Sequence, residues 1–176
     1  RQHMIATSHG RLTVAETEGA GPAVLLIHGN SACKEAFRHQ LEGPVGEAYR
    51  LIAYDLPGHG ASADALRPEH TYSMDGYADL AVELLGLLGV DQAAVVGWSL
   101  GGHIGIEMTL RFPGLKGLLI TGTPPVGKAD DAIAQGFKPS EEIKLAGQEI
   151  YGEGDAEAFC RTTVNAKGTL DPHLLA

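Results

Sequence analysis

Ala93-Ala94-Val95-Val96-Gly97-Trp98-Ser99-Leu100-Gly101-Gly102 is the stretch on which the fold class turns. Its first four residues are a short apolar run, the mark of a strand covered on both faces. A Gly-x-Ser-x-Gly pattern follows over residues 97–101, and a helix-forming segment then runs from Ser99 to Phe112. Pro113-Gly114 stops it, because proline has no N–H to continue the ladder. A strand that turns through such a serine into a helix holds the serine on a sharp, strained turn, its hydroxyl exposed above the sheet. Gly97 and Gly101 remove side chains that would clash there. The helix N-terminus directs amide N–H groups and the positive end of its dipole at any negative charge that develops. Ser99 is therefore a candidate nucleophile. The competing reading is a glycine-rich strand–helix turn with an incidental serine.

Outward from this turn the chain alternates strands and helices. Ala23-Val24-Leu25-Leu26-Ile27 is continuously apolar and reads as a central parallel strand. Arg50 to Tyr54 and Leu115 to Thr121 read as two more strands. Arg11 to Glu16 alternates, as a half-buried antiparallel strand does, and Met4 to Ser8 is expected to pair with it across His9-Gly10. Ser73 is a candidate N-cap. Behind it Met74, Tyr77, Ala78, Ala81, Leu84, Leu85 and Leu88 form one apolar stripe, closed by Gly89. Cys33 to Leu41 is expected to form a shorter helix. This alternation implies an α/β fold, with a mostly parallel sheet and right-handed crossovers. Residues 1–126 form its core. Residues 127–176 lack a strand-like run, and helices are expected from Ser140 and over Asp155 to Thr163. That part reads as an incomplete helical cap or lid, with Gly127, Gly136 and Gly147 as possible hinges.

Composition narrows the function. The chain has 176 residues, 44% hydrophobic and 20% charged, which suits a globular protein of ordinary domain length. A net charge of −9 argues against nucleic acid and against an anionic membrane surface as partners. Nothing approaches the roughly 18 apolar residues of a spanning helix. Cys33 and Cys160 stand far apart, giving neither a disulfide framework nor a metal spacing. A cytoplasmic location is expected, with no metal and no cofactor.

Two further strings carry chemistry. His28-Gly29-Asn30-Ser31 follows the central strand, and Gly29 lets the backbone turn tightly. The Asn30 N–H can then point at the same spot as the Leu100 N–H. Two such donors make an oxyanion hole, and losing one donor costs on the order of 10²–10³ in rate. Asp55-Leu56-Pro57-Gly58-His59-Gly60-Ala61-Ser62 reads as structural, with Asp55 and Ser62 bonding the loop and the glycines supplying turns.

These strings, with Gly97 to Met108, Thr121 to Val126 and Gln135 to Lys138, resemble the α/β-hydrolase superfamily. Within it they are similar to the α/β-hydrolase type of N-acyl-homoserine lactonase, a quorum-quenching esterase, and the likeness covers nearly the whole chain. The resemblance implies that Ser99 attacks the lactone carbonyl while the Asn30 and Leu100 amides hold the oxyanion. It implies a small-molecule substrate and no metal. Trp98, Gly29 and Ser31 are the candidate substrate-binding residues. For Trp98, packing against an acyl chain and plain core packing stand level.

The chain departs from the family at the base. A serine hydrolase of this fold places an acid and then a histidine after the nucleophile. After Ser99 only His103 and His173 remain. His103 sits one turn into the helix, where its side chain would leave along the axis, and His173 follows no strand. The triad acid and histidine are therefore expected outside these residues, as are the last strands of the sheet. The chain is read as the N-terminal part of a larger protein, with an open edge at Leu118-Leu119-Ile120 and almost no turnover alone. A general carboxylesterase shares every motif. A fragment that binds an acyl lactone without turnover, or an inactive one, is the reading from another class.

Overall fold

A computed structural model describes residues 1–124, 127, 130–136, 141–145 and 152–163. The chain divides into two compact units, Arg1–Thr123 and Pro124–Ala176. The sequence places that division after residue 126.

The first unit opens with a hairpin of β1 (Gln2–Ala6) and β2 (Arg11–Glu16), in register from Gln2↔Ala15 to Ala6↔Arg11. Strand β3 (Gly21–Ile27) leads through a 3₁₀ turn (Lys34–Phe37) into α1 (Arg38–Glu42), α2 (Pro44–Ala48) and β4 (Tyr49–Tyr54). The short α3 (Pro68–Thr71) precedes α4 (Met74–Leu87), and β5 (Ala93–Trp98), α5 (Leu100–Met108) and β6 (Leu115–Thr121) follow. The six strands lie in the order β1-β2-β4-β3-β5-β6. β3 pairs in parallel with both β4 and β5, and β5 with β6; the β1–β2 and β2–β4 pairs are antiparallel. The mostly parallel α/β sheet expected from the alternation is what forms.

The core follows from the stripes. Leu80, Leu84 and Leu85 of α4 and Ile104 and Met108 of α5 pack on Leu25, Ile27, Ile52, Tyr54 and Val95 of the sheet, all buried. Each such side chain stabilises the fold by about 1.5–3 kcal/mol when fully buried. Ser73 caps α4, its hydroxyl accepting the Gly76 N–H at 3.0 Å. Gly89, at φ +66°, ends the segment in a conformation that side chains avoid. Met74, counted in the stripe, stands at the first helical position and is exposed. The opposite sheet face carries a smaller cluster of Leu26, Leu51, Ala53 and Phe37.

Two expected helices differ. Cys33–Leu41 is not one helix, because Lys34 is drawn to Asp55 by both its N–H and its ammonium group, and a 3₁₀ turn starts there. The helix after Ser99 ends at Met108; residues 109–111 tighten into i→i+3 bonds before Pro113. Leu119 of β6 is 57% exposed, and β5 is the only partner of β6 among the described residues. The second unit holds α6 (Asp130–Gly136), α7 (Glu141–Leu145) and α8 (Glu153–Thr163), with α7 packed on α8. Gly136 closes α6 and does not stand in a loop. Ser140, Gly147 and His173 lie outside the described residues.

Candidate active site

Ser99 stands between β5 and α5 at φ +54°, ψ −115°. A non-glycine residue at positive φ is strained, at a cost of order 1–3 kcal/mol, and persists only where its surroundings fix it. The surroundings here are close. A Cβ at Gly97 would lie 2.3 Å from the Gly101 carbonyl oxygen, and one at Gly101 would lie 2.1 Å from the Ile27 carbonyl oxygen. Only glycine permits either approach. The Ser99 N–H donates to the Thr121 carbonyl at 2.9 Å, and the Ser99 carbonyl accepts from the Gly102 N–H at 3.0 Å. Leu100 and Gly101 open α5, so their N–H groups have no helical acceptor behind them.

The loop after β3 comes against this turn. A Cβ on Gly29 would sit 3.0 Å from the Ser99 Cβ and 3.3 Å from the Trp98 carbonyl oxygen. Gly29 is thus the contact through which residues 28–31 meet the serine. Asn30 is exposed, and Ser31 is half-buried and also at φ +54°. The structure therefore brings together Gly29, Trp98, Ser99 and Leu100, with Asn30 and Ser31 one and two residues on. The Trp98 ring is half-buried and packs on the Leu26–Phe37–Leu51–Ala53 cluster. Gly122, at φ +60°, leaves room beside that ring, since a Cβ there would lie 3.3 Å from its Cδ1 and Nε1.

His28 is fully buried and bonded at both nitrogens. Its Nδ1–H donates to the Gly29 carbonyl at 2.7 Å, and its Nε2 accepts from the Leu56 N–H at 3.0 Å. Those partners fix the neutral tautomer, and burial lowers its pKa to about 4. The His59 ring lies 5.3 Å away, its Nδ1–H donating to the Pro57 carbonyl at 3.1 Å. Asp55 organises the loop beneath. Its carboxylate accepts from the Lys34 N–H at 2.7 Å, the Lys34 ammonium at 3.0 Å and the Ala61 N–H at 3.0 Å. The Ser62 hydroxyl donates to the Asp55 carbonyl at 2.7 Å. Burial opposes the charge on Lys34, but its hydrogen bond to Asp55 and their attraction outweigh that, and the ammonium pKa is raised.

Two residues here escaped the sequence. Lys34 carried no signal beyond its closeness to the His28-Gly29-Asn30 string. The buried Thr123 stood in the Thr121 to Val126 string but was given no role there, and its hydroxyl donates to the Ser99 carbonyl at 2.8 Å. His103 sits one turn into α5, its N–H directed at the Ser99 carbonyl at 3.4 Å, and burial lowers its pKa. Among the described residues no group of three or more His, Cys, Asp or Glu side chains could hold a metal, and no helix is long and apolar enough to cross a membrane.

The chain matches the profile of the alpha/beta hydrolase family over residues 24–173. Crystal structures of the N-acyl homoserine lactonase AidH superpose with TM-scores of 0.92 and 0.91, both at 51% identity over 99% of this chain. One is a mutant complexed with N-hexanoyl homoserine, the other a complex with N-butanoyl homoserine. A pimeloyl-[acyl-carrier protein] methyl ester esterase of Nitrosospira multiformis is 33% identical over 111 residues, 62% of this chain and 41% of its own length. An uncharacterized protein of Mycobacterium tuberculosis is 34% identical over 114 residues, 65% of this chain. The chain spans 62% of the length of the AidH structures and 32% of the mycobacterial protein.

Proposed function

The chain belongs to the alpha/beta hydrolase family, and from that footing we propose that it serves a serine hydrolase that opens the lactone ring of N-acyl-homoserine lactones. The observation that carries the reading is the strained Ser99 turn with Gly29 seated against it. Ser99 Oγ adds to the lactone carbonyl carbon as its hydroxyl proton leaves, giving a tetrahedral oxyanion; the same proton later serves the departing ring oxygen. The Asn30 and Leu100 amides donate to the oxyanion, and Trp98, Gly29 and Ser31 line the acyl side. The ring C–O bond then breaks. Its oxygen takes a proton and stays tethered, as an alcohol, to the acyl group on Ser99. Water cleaves that ester, returns the hydroxyl to Ser99 and releases the ring-opened N-acyl-homoserine. No step uses a metal.

The lactone is preferred to a simple ester because the similarity to the lactonase structures runs along 99% of the chain. A general carboxylesterase is the second reading, supported by the similarity to the Nitrosospira esterase. Opening the lactone destroys a diffusible signal, so the biological role proposed is quorum quenching. A cytoplasmic site is proposed from the buried thiols of Cys33 and Cys160, and cell fractionation tests it.

The deciding experiment compares kcat/KM for N-hexanoyl homoserine lactone and p-nitrophenyl butyrate in the full-length protein and in Ser99→Ala. A lactone preference that vanishes in Ser99→Ala, with a loss of up to about 10⁶ in kcat, is expected. Unchanged turnover in Ser99→Ala refutes the mechanism. A preference for the aryl ester favours the carboxylesterase.

A further inference from the structure

The loop that offers Asn30 to the site holds an improbable conformation. Gly29 is pressed on the Ser99 Cβ, and Ser31 lies at φ +54°. Five residues, 29–33, therefore carry both a close approach and a strained serine. Such a segment keeps its shape only if both ends are fixed. At the near end, His28 is held to the Leu56 N–H. At the far end, Lys34 is held to Asp55 twice, by its backbone N–H and by its ammonium group. Both anchors belong to the chain leaving β4, so the segment after β4 acts as the template for the segment after β3.

The far anchor is an ion pair in an unusual place. Asp55 is 0% and Lys34 5% exposed. A charged pair is seldom buried where an apolar pair would serve for stability. The geometry around it is tight: a Cβ on Gly60 would fall 2.5 Å from the Asp55 Cγ, and the Ala61 N–H closes on the same oxygen as the Lys34 ammonium. The carboxylate cannot shift without displacing residues 60–62. The Lys34 N–H ties the start of the 3₁₀ turn to that carboxylate, and the Lys34 ammonium, at 3.0 Å from Asp55 and 3.3 Å from the Glu35 carboxylate, holds it in place. The pair thus fixes a backbone position to within a hydrogen bond's tolerance, four residues from Asn30.

We propose that the buried Lys34–Asp55 ion pair is a positioning device for the reaction, setting the backbone of residues 29–33 so that the Asn30 N–H meets the oxyanion. The inference rests on the assignment of Ser99 and Asn30 under the proposed function. Neither Lys34 nor Asp55 touches substrate. Their effect belongs to the transition state, where a small displacement of a donor is felt, and not to ground-state binding.

The test uses Lys34→Met, Lys34→Arg and the double variant Lys34→Met with Asp55→Asn, in the full-length protein, with N-hexanoyl homoserine lactone as substrate. Folded protein is quantified by far-UV circular dichroism and kcat is normalised to it. The double variant leaves no unpaired buried charge and keeps the amide oxygen for the residue-34 N–H, giving up only the acceptor of the Ala61 N–H, so it folds if Lys34→Met does not. The expected result is a fall in kcat of about tenfold to a hundredfold in the variants lacking the cation, with KM changed less than about threefold. Lys34→Arg, which keeps the cation, recovers most of the rate. A folded double variant with the kcat of the wild type overturns the proposal, and so does a loss confined to KM. The two readings fail separately. Turnover that survives Ser99→Ala removes the site assignment. A dead Ser99→Ala beside a fully active double variant removes only the role of the pair.

Discussion

Acidification from pH 7 to pH 4 sets one buried imidazole against the fold. His28 is neutral in the folded chain because both of its nitrogens are committed, Nδ1–H to the Gly29 carbonyl and Nε2 to the Leu56 N–H. Protonation of Nε2 would destroy an acceptor and leave the Leu56 N–H facing a donor inside the protein. Burial therefore lowers the pKa from 6.5 to about 4. The unfolded chain binds this proton first. The stability that His28 contributes is therefore complete above pH 6.5 and is lost as pH falls toward 4. At about 1.4 kcal/mol per pH unit, the loss between pH 7 and pH 4 is about 3 kcal/mol. Urea unfolding followed by the fluorescence of Trp98, the single tryptophan, measures it at each pH. His9 and His103 have pKa values lowered in the same direction, by burial. Their contributions cancel when the wild type is compared with His28→Asn, which keeps a donor for Gly29 and cannot titrate. The wild type should lose about 3 kcal/mol relative to the variant across that range. Parallel stability curves for the two proteins would refute the reasoning, because some other group would then carry the acid sensitivity.

Gly29→Ala places a methyl group 3.0 Å from the Ser99 Cβ, so the loop must move off the serine. A fall in kcat of about a hundredfold with little change in melting temperature is expected from steady-state kinetics beside thermal unfolding. Thr123→Val keeps the side-chain shape and removes the hydroxyl that donates to the Ser99 carbonyl at 2.8 Å. That carbonyl retains the Gly102 N–H, so a loss of about 1 kcal/mol in stability and only a few-fold loss in kcat are expected.

The strand–turn–helix around Ser99 was legible because its determinants are local. An apolar run, two glycines and a serine within nine residues fix a strand, a turn and a helix, and the structure builds each of them. The α4 stripe was legible for the same reason: its period is set by the helix itself, and Leu80, Leu84 and Leu85 are buried. What the sequence hid depends on which strands become neighbours. Lys34 meets Asp55 only because β3 and β4 pair in parallel, with Ile27 opposite Tyr54. Thr123 reaches the Ser99 carbonyl only because β6 lies beside β5, with Trp98 opposite Thr121. Trp98 stood between two readings because an aromatic beside a nucleophile suits a core or a pocket equally. Its packing on Leu26 and Phe37 follows from which sheet face residue 98 takes, and that is a matter of register.

Two serines at the same positive φ, Ser31 and Ser99, now have a common physical explanation. Neither conformation is chosen by its own residue, and each costs of order 1–3 kcal/mol. Ser99 is held by three hydrogen bonds at 3.0 Å or less, from the ends of β6 and the first turn of α5. Ser31 is held at a distance, between the His28 imidazole and the Lys34–Asp55 pair. The apolar core beneath α4 and α5 supplies the stability that offsets both strains, but it cannot direct them, because apolar contacts are not directional. Direction comes from the buried polar bonds. Variants of Leu84 and variants of Lys34 should therefore differ in kind: the first lower stability at constant kcat per folded molecule, and the second lower kcat per folded molecule whatever they do to stability.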